Sequence, residues 1–125
     1  MALFSQIDYN ATTTFVDVGP GQNWDEVYKT LAPHNVNVNG ATTCRGVGVA
    51  GFNLGGGYGN KTNQYGLAID NIHAIHVVLP TGQHVTATAT YREDIFWALK
   101  VHPSLWRSLS HISRFHREGG IILAL

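Results

Sequence analysis

The chain is poor in the residues that would place it in several large functional classes. It has one cysteine in 125 residues, so no internal disulfide framework can hold it. Charged residues make up only 13%, and eight basic side chains are balanced by eight acidic ones. That leaves no basic footprint for nucleic acid or for an anionic membrane surface, and neither partner is expected. No apolar run approaches the roughly eighteen residues needed to cross a bilayer. No basic stretch followed by an apolar one opens the chain, so no leader is expected and localisation is left open. What is plentiful is apolar: 44% hydrophobic residues, 10% of the chain aromatic, enough for the core of one domain and too short a chain for two. Glycine is the other surplus, and nine of the fourteen lie between Gly40 and Gly66.

The local patterns mix both kinds of secondary structure, an α+β composition. Thr12 to Val18 (TTTFVDV) reads as a strand stopped by Gly19-Pro20-Gly21. Asn23 then caps a helix with Glu26 three residues on, and Trp24, Val27, Tyr28 and Leu31 form its apolar stripe up to Pro33. Val36 and Val38 alternate with asparagines, which predicts a short half-buried strand. Ile72 to Leu79, the turn Pro80-Thr81-Gly82-Gln83 and His84 to Thr90 predict a β-hairpin. Glu93 to Lys100 predicts a helix with Ile95, Phe96 and Leu99 inward, and Trp97 is also expected in the core. Residues 101–125 carry three arginines, three histidines and one acid. They are expected to be a weakly attached tail, with a helix from Pro103-Ser104 placing Leu105, Leu109 and Ile112 on one face and with His111 and His116 exposed.

The segment Gly46 to Gly59 (GVGVAGFNLGGGYG) fits neither a good helix nor an ordinary strand, because glycine weakens both. Gly46-Val47-Gly48-Val49-Ala50-Gly51 matches GxGxxG, and Asp70 lies at about the spacing of a ribose contact. That nicotinamide reading needs a helix at the second glycine, and four of the eight residues after Gly51 are glycines. A phosphate-binding P-loop also fails, since Asn60 separates Gly59 from Lys61-Thr62. What remains is bare backbone that can curl around an anion or lie against a planar ring. The alternatives are a surface loop of no chemical consequence or tight packing of two backbones. Val47, Val49 and Leu54 interleaved with the glycines argue against a solvent loop.

Three ordered motifs together carry a resemblance: Gly46 to Asn71, then Val77-Val78-Leu79-Pro80-Thr81-Gly82, then Asp94 to Lys100. With Val18-Gly19-Pro20-Gly21 and the helix after it, residues 3–100 resemble FAD-linked oxidases of the vanillyl-alcohol-oxidase type, in the berberine-bridge-enzyme-like branch. The resemblance implies part of a two-subdomain FAD-binding PCMH-type domain, mainly its second subdomain, spanning residues 1–100, with 101–125 atypical. It assigns to the flavin a wall made of Gly48, Gly51, Phe52, Gly55, Gly56, Gly57, Tyr58, Gly59, Tyr65, Gly66, Leu67, Asp70 and Asn71. It also places Cys44 where bicovalent members bond the flavin ring, with Arg45 beside it to favour the thiolate. In the family a hydride leaves an alcohol, sugar or amine carbon for the flavin, and dioxygen takes the electrons.

The pattern departs from the family in two places. No Arg-Ser-Gly-Gly-His-type loop precedes Leu3, so no histidine is assigned a flavin bond. The family's substrate domain, which supplies the catalytic base, has no counterpart after Lys100, and catalytic residues stay unknown. Three readings follow: one half of a flavin site in an oxidoreductase, a catalytically silent fragment of such an enzyme, or a nicotinamide-binding domain. Without the partner subdomain, Val47, Val49, Leu54 and Leu67 are expected to form a partly uncovered apolar face that invites self-association. His73 and His76 are too far out of phase to share a metal, so none is expected. Asn10-Ala11-Thr12 and Asn60-Lys61-Thr62 are glycosylation sequons, Asn60 the less favoured because it adjoins the flavin wall.

Overall fold

The computed structural model describes residues 4–42, 45–101 and 110–116. Five strands form one antiparallel sheet: β1 (Ile7–Asn10), β2 (Phe15–Val18), β3 (Ala74–Val78), β4 (His84–Thr88) and β5 (Ser110–His116), in the order β1-β2-β5-β3-β4. One face is apolar. Val16 and Val18 of β2, Ile75 and Val77 of β3, and Val85 and Ala87 of β4 are all buried, and the register pairs Ile75 with Ala87 and Val77 with Val85. Strand periodicity sends the intervening residues to the opposite face, where His76 Nδ1 meets Thr86 Oγ1 at 2.8 Å. On the ring side His73 lies edge-on to Phe15, with centroids 5.7 Å apart.

Helices cover the apolar face. In α1 (Trp24–Leu31) Asn23 accepts the Glu26 N–H at 3.1 Å, as the capping pattern requires. The Glu26 carboxylate turns instead to Lys29, 2.6 Å away. Trp24, Val27 and Leu31 are buried, and the Tyr28 ring stacks on Trp24. A 3₁₀ turn, Ala32–His34, follows at Pro33. Helix α4 (Glu93–Val101) buries Phe96 and Leu99 and half-buries Ile95. Two short helices, α2 (Val49–Leu54) and α3 (Thr62–Tyr65), and a 3₁₀ turn at Ala68–Asn71 complete the described elements. The β3–β4 hairpin forms where expected, closed by Leu79 N–H to Gln83 O at 2.9 Å, with Gly82 at φ +83°.

The structure corrects five expectations. Val36 and Val38 are buried but in irregular backbone, and no described strand pairs with them. The glycine segment does hold a helix: α2 begins directly after Gly48, and its six residues end before Gly55-Gly56-Gly57 breaks it. That helix turns Val49 and Leu54 into the core at 0% and 2% exposure, so of the expected apolar face only Val47 and Leu67 stay partly uncovered. Trp97 is 60% exposed, because it lies on the side of α4 opposite Phe96 and Leu99. Ser110–His116 is no loose tail or helix. It is the central strand, Ser113 pairing with Val18 on one side and Ile75 on the other. Without β5, the inner edges of β2 and β3 would leave buried backbone N–H and C=O groups unpaired. Residues 102–109, where the tail helix is expected to start, lie outside the described residues. Strand β1, an edge formed by folding back over the Ala11–Thr14 turn, was not legible because its Ile7-Asp8-Tyr9-Asn10 is only four residues long.

Candidate functional site

The glycine segment is stitched into one layer from both ends. At its start Trp24 N–H donates to Val47 O and Val49 N–H to Gln22 O, both at 3.0 Å, and Asp25 Oδ2 accepts the Gly46 N–H at 2.9 Å. At its end Ala68 N–H donates to Gly57 O at 2.9 Å and Ile69 N–H to Gly56 O at 3.1 Å. Buried Asn39 ties the layer to α3: its Nδ2 donates to Gly66 O at 2.8 Å and to Thr62 Oγ1 at 3.4 Å, while Gly59 N–H donates to that same hydroxyl at 2.9 Å. Thus the segments around residues 25, 39, 46–59 and 62–71 lie together. The sequence assigned the last two to one wall; Asp25, Asn39 and Thr62 carried no pattern that would have added them.

The glycines sort into two groups by what a β-carbon would meet. At Gly57, with φ +72°, it would lie 2.5 Å from Ala68 Cβ and 3.0 Å from the Phe52 ring. At Gly59 it would overlap Asn39 Oδ1 and Gly40 O. These two are glycine because the chain itself is packed there. Gly55 is tight as well, 3.3 Å from Gly51 O. Gly46, Gly48 and Gly51 differ. A β-carbon at Gly46 or Gly51 meets nothing within 4 Å, and one at Gly48 meets only Gln22 O at 4.0 Å. Gly46 needs its positive φ of +76°. Gly51 has no such need: it is exposed and helical, where glycine costs about 1 kcal/mol relative to alanine. Nothing within the described residues accounts for it, which makes it the best candidate for close approach by a foreign group.

The remaining assigned residues fall in distinct roles. Asp70 Oδ2 accepts the Leu67 N–H at 3.0 Å, and Asn71 Nδ2 donates to Tyr65 O at 2.9 Å and Leu67 O at 2.7 Å, so both shape their own loop. Gly66, at φ +78°, reverses the chain there, and Gly56, at +99°, leaves a β-carbon 3.8 Å from Leu67. Phe52 is half-buried edge-on to Trp24. Tyr58 is 72% exposed, its hydroxyl 3.4 Å from Asn63 Oδ1, and the Lys61 ammonium sits 5.8 Å from the exposed Tyr65 ring. Asn53, fully buried in α2, has neither side-chain amide atom hydrogen-bonded to a described residue. Cys44 lies outside the described residues. A cleft of about 470 Å³ opens between α1 and the segment before Cys44, lined by Tyr28, Ala32, Val36, Thr42 and Asn60 among others, all uncharged. Burial pushes the Tyr28 phenol above its usual range, so it stays neutral there.

A dinucleotide-binding βαβ unit is not what these elements build. The chain enters α2 from an isolated bridge, Asn23 to Gly48, rather than from a strand, and α2 is too short to present a helix dipole over a turn and a half more. Backbone that is open at Gly48 and Gly51, beside a Gly46 whose N–H is held by the Asp25 carboxylate, leaves room for a large planar group to approach closely.

Comparison with known proteins gives the chain a family. The family model described as FAD binding domain matches residues 1–88. The FAD-dependent monooxygenase macF of Penicillium terrestre is 43% identical over 96 residues, which is 75% of this chain and 18% of the relative. The xylooligosaccharide oxidase of Thermothelomyces thermophilus is 38% identical over 96 residues, 74% of this chain and 19% of the relative. The solved xylooligosaccharide oxidase of Myceliophthora thermophila, in complex with xylobiose, superposes with a TM-score of 0.81 at 31% identity, covering 96% of this chain and 24% of that one. The chain therefore spans less than a fifth of the length of the curated relatives it matches. A match over residues 1–88, with the same sheet and helices recurring in FAD-linked oxidases, means that the chain belongs to the FAD binding domain family, in its berberine-bridge-enzyme-like branch.

Proposed function

We propose that this chain forms one wall of the FAD site of a flavin-dependent oxidoreductase that takes a hydride from an alcohol, sugar or amine carbon and delivers the electrons to dioxygen. The carrying observation is Gly51, a helical glycine whose open side no described residue fills. When bound, the flavin supplies the hydride acceptor, and the protein supplies position and surroundings. Gly46, Gly48 and Gly51 offer backbone without side chains for close contact. Gly55, Gly56 and Gly57 break α2 and turn the chain so that Tyr58 and Tyr65 stand exposed at the rim. Asp70 and Asn71 fix the Tyr65–Leu67 loop against that layer rather than reaching outward. A carbohydrate with an oxidisable hydroxyl is the substrate class supported by the sugar-oxidising relatives.

Cys44 is proposed as a covalent flavin ligand. A solved glucooligosaccharide oxidase from Acremonium strictum, 25% identical with a TM-score of 0.82, carries 6-S-cysteinyl FAD. Titrating the purified chain with FAD should quench flavin fluorescence and leave the protein yellow. Denatured protein should keep its colour, and Cys44→Ala should release it. A chain that never quenches FAD overturns the wall; one that quenches it yet loses all colour on denaturation overturns the Cys44 bond alone.

A further inference from the structure

The two Asn-x-Thr triplets are presented very differently by the fold. Asn10 is the last residue of β1, and Asn10 through Thr13 are all exposed at the tip of the β1–β2 hairpin. Its Oδ1 accepts the N–H groups of Thr12 at 2.9 Å and Thr13 at 3.2 Å, while among the described residues its Nδ2 and the Thr12 hydroxyl have no hydrogen-bond partner. Asn60 is exposed too, but its partner threonine is not available. The Thr62 hydroxyl accepts from Gly59 N–H and from buried Asn39, at the start of α3. Transfer to an Asn-x-Thr site requires the threonine hydroxyl as well as the amide.

We propose that Asn10 is an acceptor for an N-linked glycan and that Asn60 is not. The donor class is a lipid-pyrophosphate oligosaccharide. The Asn10 Nδ2 bonds to the anomeric carbon of the first sugar, the bond from that carbon to the pyrophosphate breaks with its electron pair, and the amide gives up one proton. Opening the Asn10 turn for this sacrifices two exposed hydrogen bonds beyond the last β1–β2 pair, Asn10 with Phe15. Opening Asn60 to Thr62 would unpick the bonds that anchor Gly59 and Asn39, so folding removes that site from competition. The glycan has a physical use at Asn10. β1 is an edge strand, and a bulky polar group at its end blocks edge-to-edge pairing with another chain.

The test is to express the full chain behind a cleavable secretion leader in a eukaryotic host, with a reporter sequon appended as a tag. Only chains whose reporter is modified are taken, which fixes that they met the transferase whether or not they folded. An amide-cleaving glycosidase then marks each occupied asparagine as aspartate for mass spectrometry. Asn10 should be marked and Asn60 bare; Asn10→Gln and Thr12→Ala should each remove one glycan, Thr12→Ser should retain it, and Asn60→Gln should change nothing. A bare Asn10, or an Asn60 occupied to the same extent, overturns the proposal.

Discussion

Substituting Gly51 separates what the chain needs for itself from what it needs for its ligand. A β-carbon there meets no described residue within 4 Å, and the residue is helical, so alanine should be accepted without strain. Replacing an exposed helical glycine by alanine contributes about 0.5–1 kcal/mol through reduced freedom of the unfolded chain. For a chain of this size that corresponds to a rise in Tm of about 2–5 °C. Flavin binding should move the other way. A group in van der Waals contact with bare backbone must retreat by roughly the radius of a methyl, and dispersion contacts fall off steeply with such a gap. Gly51→Leu enlarges the obstruction and should weaken FAD binding by at least about tenfold, equivalent to roughly 1.4 kcal/mol. Thermal melts without flavin and fluorescence-quench titrations with it read the two effects independently. Unchanged FAD affinity in Gly51→Leu would refute the assignment of Gly51 as the point of close approach, and a lowered Tm in Gly51→Ala would refute the claim that the space is open.

Gly57→Ala should behave oppositely, losing about 1–3 kcal/mol of stability in denaturant melts because φ of +72° and contact with Ala68 both penalise a β-carbon; a neutral result would show that the layer yields easily. Asn53→Leu should be neutral or stabilising by on the order of 1 kcal/mol, since it removes a fully buried amide that is left unpaired, and a clear loss of Tm would reveal a partner for that amide. Lys100 is half-buried, with its ammonium 5.2 Å from the Phe96 ring. Burial lowers its pKa and Asp70 partly opposes this, so the unfolded chain binds the proton more tightly. This group's contribution to stability therefore rises as pH climbs through the lowered pKa towards 10.5 and is lost below it. Lys100→Met should raise stability near neutral pH and flatten that alkaline rise, read from urea midpoints across pH; an unaltered slope would place the rise elsewhere.

Much of the molecule was legible from local pattern because the relevant physics is local. Asn23 with its 3.6-residue stripe gives α1, the Pro80–Gln83 turn gives the β3–β4 hairpin, and Glu93 with Phe96 and Leu99 gives α4. The glycine segment was legible as a family motif by its composition and by its order among other motifs. Which of its glycines serve the fold was not. Gly57 and Gly59 are fixed by Ala68, Asn39 and Gly40, up to twenty residues away, and only folding brings those atoms together. The same holds for α2. Two short apolar positions among glycines predict no helix alone, but burial of Val49 and Leu54 against the rest of the core stabilises one.

The sequence by itself determined the helices with caps and stripes, the hairpin with its turn, and the family to which the glycine motif belongs. Tertiary structure alone decided that residues 110–116 are the centre of the sheet, because pairing β2 and β3 through β5 satisfies backbone groups that no local window can see. It also decided that Gly51 faces open space while Gly57 does not, a difference of neighbours rather than of residue.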